Sequence, residues 1–229
     1  MDRGLYIAAS GMLAEQIRQD QIANDLANAS TPGYKADRTS QHTFNDLLLA
    51  NSATGATVGP QSTAVQVDTI ETDFTPRPTR DTGEPLDFAI VGEGLFAVQT
   101  ARGVRYTRNG QFELDPQGRL VTAQGDPVLD SGGRAITAAN GVVDPRRLGV
   151  YNVTNPRKEG DSLVVGTAAG AAAGTVQSGA LESSGADPAR SMVDMIASMR
   201  AFEAGQKVIQ TIDETLSKAV TQVGSVSGS

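Results

Sequence analysis

No proline follows Pro188 in this 229-residue chain, and Gly205 is the only glycine between there and Gly224. Within that stretch, steps of three and four residues fall on Met192, Met195, Met199, Phe202, Gln206, Ile209, Asp213, Leu216, Val220 and Val223. Eight of these ten are apolar, which is the spacing of a and d positions in a coiled-coil seam. Asp187-Pro188 supplies an N-cap followed by proline at the first helical position. A helix from Asp187 to Val223 is about 55 Å long, longer than a small domain is wide. An apolar stripe of that length requires a partner helix to cover it.

The opposite end of the chain offers one. From Leu5 to Asn28 there is no proline, and the single glycine is Gly11. The same stepping gives Leu5, Ala8, Met12, Glu15, Gln19, Ile22 and Leu26, five of seven apolar with a polar patch at the centre. Ser30-Thr31-Pro32-Gly33-Tyr34 then places proline and glycine as the central pair of a type II turn, so the helix stops there. Asn24 and Asn28 lie four apart on this helix. Together with Gln206 and Asp213, they read equally as register-setting polar residues of a seam or as exposed positions.

Between the helical ends the pattern changes period. Leu86 to Val98 reads as two short strands around Gly92-Glu93-Gly94. Asn109-Gly110 between alternating apolar residues reads as a hairpin turn. Asp115-Pro116-Gln117-Gly118 and Gln124-Gly125-Asp126-Pro127 read as further turns. Short strands separated by such turns indicate a sandwich or barrel-like β domain. The stretches 51–66 and 166–179 are rich in Ala, Gly, Ser and Thr and read as joints. The expected fold is therefore α+β: N- and C-terminal helices forming a coiled-coil-like pair, with a central, mostly antiparallel β domain. The divisions are a helix and turn over 1–35, an extended joint over 36–80, the β domain over 81–180 and the long helix over 181–229.

Chemistry-bearing residues are sparse. There is no cysteine and a single histidine, His42, so ordinary zinc sites and disulfides are excluded and no metal or cofactor is expected. A net charge of −7 argues against nucleic acid as a partner. The N-terminus meets Glu15, Arg18 and Asp20 too soon to be a secretory h-region. The Leu163–Val176 run, with Gly166, Gly170 and Gly174, is too short to span a bilayer, so no membrane insertion is expected. Gly92-x-Gly94 lacks the third glycine of a dinucleotide loop. The acidic groups Asp68, Glu71, Asp73 and Asp81, Glu84, Asp87 leave a paired-carboxylate hydrolase open, against a solvated face.

Three segments resemble the bacterial flagellar basal-body rod and hook proteins. Ala23-Asn24-Asp25-Leu26-Ala27-Asn28-Ala29-Ser30-Thr31-Pro32-Gly33-Tyr34-Lys35 is similar to that family's N-terminal signature. Leu181-Glu182-Ser183-Ser184 and Met192 to Leu216 resemble its C-terminal one. Asp87 to Phe96 and Tyr106 to Phe112 are similar to its central segment. The resemblance implies a structural subunit, not an enzyme, exported through the flagellar type III apparatus. Its terminal helices would pack into a helical tube with copies of itself and with other rod and hook proteins. Its place would be the flagellar basal body, where the rod carries torque from motor to hook. Phe44-Asn45-Asp46-Leu47-Leu48 looks like the distal-rod subgroup, whereas the short stretches after Leu49 and Val143 leave the proximal type open.

The expected assembly interface comprises Leu5, Ala8, Met12, Ile22, Asn24, Leu26, Asn28, Pro32, Gly33, Tyr34, Met192, Met195, Met199, Phe202, Ile209, Leu216 and Val220. Two other classes stay open on the residues alone: a secreted coiled-coil adhesin, and a wall-cleaving enzyme using the acidic groups.

Overall fold

The computed structural model describes residues 2–50, 57–138, 141–160 and 162–226. In chain order the elements are α1 (Asp2–Ala27), β1 (Asp37–Ala50), β2 (Thr57–Thr72), β3 (Thr79–Asp81) and β4 (Phe88–Val91). Then come β5 (Leu95–Thr100), β6 (Gly103–Thr107), β7 (Phe112–Leu114) and β8 (Leu120–Thr122). A short 3-10 turn at Pro145–Arg147 precedes β9 (Val150–Glu159), β10 (Leu163–Ala171), β11 (Thr175–Ser178), β12 (Ala180–Glu182) and α2 (Pro188–Val226). The fold is α+β, with a helix at each end and a central antiparallel β region. The chain divides into two compact units: 1–24, 37–71 and 188–229 form one, and 25–36 with 72–187 form the other.

The second unit is the β-body. Strands β10, β6, β5 and β9 close into a small barrel. Leu95 to Val98 is apolar throughout because β5 is covered on both faces. Phe96 and Val98 join one core with Phe88, Phe112, Leu120, Val128 and Ile136. Leu95 and Ala97 join a second with Tyr106, Leu129 and Val164. The scarce aromatics are concentrated here: the Phe96 and Phe112 rings meet edge to face at 5.4 Å.

Three local readings change against the structure. Asn109-Gly110 does not turn a hairpin: β6 pairs with β5 and β10, and β7 pairs with β8. Instead, the carbonyl of Gly110 accepts the N–H of Phe88 at 3.0 Å. Most of 166–179 is strand, in β10 and β11. Gly166 falls at a register shift between Val165 and Thr167, where a Cβ would lie 2.3 Å from Val153 Cγ1, so it marks a bulge. Residues 57–66, likewise read as joint, belong to β2, which pairs with β1 in a two-stranded sheet of the first unit.

The Asp115–Gly118 turn forms as expected. The Asp115 carboxylate accepts the N–H groups of Gln117 and Arg119 at 2.9 and 2.8 Å and the Arg119 guanidinium at 2.7 Å. Asp130 does the same for the N–H groups of Gly132 and Arg134. At Asp115 desolvation works upward, but the Arg119 N–H and guanidinium outweigh it and hold the carboxyl below its ordinary 3.8. At Asp130 the Arg134 N–H does most to lower it from 3.8. A folded value below the unfolded one contributes stability above pH 3.8 that is lost as pH falls through the folded value. An NMR titration of the two carboxyl carbons is expected to show midpoints below 3.8, and Asp115→Asn is expected to abolish the first.

Candidate functional site

In the first unit, α1 and α2 touch side by side and run antiparallel. Glu15 meets Ser198, whose hydroxyl donates to its Oε2 at 2.6 Å. A Cβ on Gly205 would lie 2.7 Å from Met12 Cγ, and one on Gly4 would lie 3.5 Å from Ile212 Cδ1. Residue numbers thus fall along α1 as they rise along α2. The covered face of α2 runs Met195, Ser198, Phe202, Gly205, Ile209, Ile212, Leu216. Four of the ten expected seam positions are on it, Met195, Phe202, Ile209 and Leu216.

Met192, Met199 and Val220 are not: they are 52%, 52% and 71% exposed, and Gln206 and Asp213 are exposed as well. Ser198, Gly205 and Ile212 take the alternate positions, one residue away from Met199, Gln206 and Asp213. The physical reason is close approach. Small residues let the α1 backbone come near, and an apolar count scores Ser and Gly as gaps. Ser198 is 1% exposed, the most buried residue of α2 among those described. Its hydroxyl also satisfies Glu15, the residue that made the α1 seam look interrupted.

On α1, Ile22 is buried and Ala8 and Met12 half-buried. Leu5 and Leu26 are exposed at 37% and 36%, and Tyr6 and Leu13 more so. A groove of about 440 Å³ between the helices is floored by Gly4, Ala8, Gly11, Ala201 and Gly205. The two helices therefore retain uncovered apolar side chains beyond the stripe that they cover for each other.

The turn after α1 belongs to the β-body. Tyr34 follows Gly33, whose φ of +65° suits the third position of a type II turn, and the Tyr34 N–H donates to the Thr31 carbonyl. Tyr34 is fully buried, and its hydroxyl donates to Asp25 Oδ1 at 2.7 Å. The Lys158 ammonium stands 4.0 Å over the Tyr34 ring. Gly33 and Tyr34, expected at an assembly interface, thus face the interior of their own chain, with Pro32 half-buried beside them. Asn28 lies past the end of α1 and not on a helical face with Asn24; its carbonyl accepts the Ser184 hydroxyl at 2.9 Å. Asn24 itself is exposed.

Beneath this turn sits a buried ionic node. Glu182 is 1% exposed, and Lys35 and Arg108 are each 4%. Glu182 Oε1 accepts Lys35 Nζ at 2.7 Å and the Arg77 N–H at 2.9 Å, and Oε2 accepts Arg108 Nη1 at 2.9 Å. Lys35 also donates to the Thr75 carbonyl, and Arg108 to the carbonyls of Ile90 and Gly92. Burial pushes the Lys35 ammonium below its ordinary value, against the pull of Glu182 and with the help of the Arg108 and Arg77 charges.

The candidate chemical groups resolve differently. Asp73 accepts the Arg77 guanidinium at 2.8 Å and caps Thr75. Glu71, Asp81 and Glu84 are exposed and Asp87 is buried. His42 and Asp68 lie on β1 and β2, and their side chains fall outside the described residues. Among the described residues no acid or histidine cluster could hold a metal, and no helix is long and apolar enough to cross a membrane.

The arrangement is that of a structural subunit: a β-body whose flanking helices carry uncovered apolar positions. Comparison with known proteins gives this class its family. Models described as flagella basal body rod protein, flagellar hook protein FlgE/F/G D1 domain, and flagellar basal body rod FlgEFG protein C-terminal match residues 5–35, 89–162 and 177–222. The chain is 34% identical to the flagellar basal-body rod protein FlgG of Bacillus subtilis, over 96% of this chain and 98% of that one. It is 32% identical to FlgF of Caulobacter vibrioides, over 99% and 100%. It is 30% identical to the hook-basal body complex protein FlhO of Bacillus subtilis, over 99% and 100%. The chain belongs to the flagellar basal-body rod protein family, as a structural subunit of the flagellar basal body.

Proposed function

We propose that this subunit polymerises through its terminal helices, with copies of itself and with other rod and hook proteins, into a helical tube that passes torque from motor to hook. One observation carries the reading. Apolar side chains on both helices remain uncovered in the single chain, at Leu5, Leu26, Met192, Met199 and Val220 among others. In an open helical assembly one surface of a subunit meets a different surface of the next, so one helix pair can bury an inner stripe within the chain and an outer one between chains. Ala8, Met12, Ile22, Met195, Phe202, Ile209 and Leu216 form the inner, coiled-coil-like stripe, and Asn24 lies on the exposed side of α1. Covering the part of each side chain that remains exposed contributes roughly 1 kcal/mol.

The helices of a free subunit order on assembly. A single antiparallel pair that leaves most of its stripe only half-buried is weak in isolation, and unfolded ends suit passage through the flagellar type III export apparatus. Circular dichroism of dilute subunit against assembled material tests this: helix content is expected to rise sharply on assembly. Full helix content in a monomer verified by sedimentation would overturn coupled ordering.

A further inference from the structure

The geometry points to Glu182 as the positioning residue that fastens the roots of both helices, 25–36 and 180–187, to the β-body of the same chain. Five chain segments converge on it or on its partners: the turn after α1 through Lys35, the strap before β3 through Thr75 and Arg77, β4 and the link after it through Ile90 and Gly92, the residue after β6 through Arg108, and β12 through Glu182 itself. Backbone bonds close the same junction. The Gly33 N–H donates to the Glu182 carbonyl at 2.9 Å, and the Gly185 N–H donates to the Tyr34 carbonyl at 2.8 Å. Where the chain leaves α1 and where it enters α2 are thereby tied to each other. This holds whether or not subunits polymerise, so it goes beyond the assembly reading.

Charge counting makes the claim specific. One carboxylate faces two cations, and all three side chains are at least nine-tenths buried. Removing Lys35 leaves a neutral Glu182–Arg108 pair, still hydrogen bonded. Removing the Glu182 charge leaves two buried cations with no counter-charge, which is the costly case. A junction held by shape alone would treat Glu182→Gln and Lys35→Met alike, since each nearly preserves side-chain size.

Single-amide hydrogen exchange by NMR on the full-length free subunit tests this. The probes are the Gly33 and Gly185 amides, referenced to the Leu120 and Val128 amides of the β-body. In Glu182→Gln the two junction amides are expected to lose about 100-fold or more of their protection while the reference amides keep theirs. In Lys35→Met the expected loss is below about tenfold. Junction protection unchanged by Glu182→Gln, or equal losses in the two variants, would overturn the assignment. Should Glu182→Gln not fold at all, Lys35→Met still decides: junction amides exchanging as in an unfolded chain would overturn it. Protection of the helical arms in wild type is read at other amides, so failure of the ordering proposal would be visible separately.

Discussion

Replacing Gly110 with alanine is expected to leave no cooperatively folded β-body. A Cβ at that position would lie 1.6 Å from the carbonyl oxygen of Phe88 and 2.7 Å from its carbonyl carbon. Both are backbone atoms, so no rotamer change relieves the clash. Phe88 is fully buried in the larger core, and its N–H is bonded to the Gly110 carbonyl. Moving either segment therefore breaks that hydrogen bond and opens the core. The cost exceeds about 4 kcal/mol, a large share of the roughly 5–15 kcal/mol that holds a domain folded. Urea unfolding followed by circular dichroism of the β signal measures it. Gly11→Ala is the contrasting case: nothing lies within 4 Å of its Cβ, and it sits inside α1. Alanine there is neutral or stabilises the helix by up to about 1 kcal/mol. A Gly110→Ala protein melting near wild type would mean that the Phe88 approach is misplaced.

Gly110 also shows where sequence reading works and where it stops. The residue was recognisable as special, but an Asn-Gly pair signals a turn by local rules, whereas here the glycine admits a neighbouring backbone. Features set within a few residues were legible: the turn at Thr31–Tyr34, the Asp115–Gly118 turn, the two strands on either side of Gly92-Glu93-Gly94 and a helix at each end. Features set by distant partners were not. β3 pairs with β12 and β4 with β11, across most of the β-body's length in sequence, and no local pattern encodes those choices. The same holds for the node. Lys35, Arg108 and Glu182 each stand in or beside one of the three family-like segments, yet nothing near any of them names its partner. Their meeting explains why three separated segments share one junction. On α2 the face turned towards α1 is set in part by Ser198 and Gly205, residues that a hydrophobic stripe ignores.

The apolar positions that α2 leaves outward give the second large effect. Met199→Asp is expected to abolish swimming while leaving the isolated subunit unharmed. Met199 is 52% exposed in the single chain, so a carboxylate there meets water, and the β-body is expected to keep its unfolding free energy within about 0.5 kcal/mol. In the proposed tube the same position is covered by a neighbouring subunit. The substitution then removes roughly 1 kcal/mol of apolar burial, since about half of the side chain is still to be covered, and adds the larger cost of an unpaired buried charge, repeated at every subunit. Met199→Leu keeps volume and polarity and is expected to swim as wild type does. Leu216→Asp, on the inner stripe, is expected to abolish swimming too, because the arm cannot pair with α1. The two aspartates differ in what they test. Leu216→Asp fails for any protein that needs its two helices paired, whereas Met199→Asp fails only if the outer face is covered by another molecule. Chromosomal replacement and swimming assays in soft agar read both, with electron microscopy of purified basal bodies to show whether a rod is present. Normal swimming with Met199→Asp and with Val220→Asp would place the subunit contact elsewhere on the molecule.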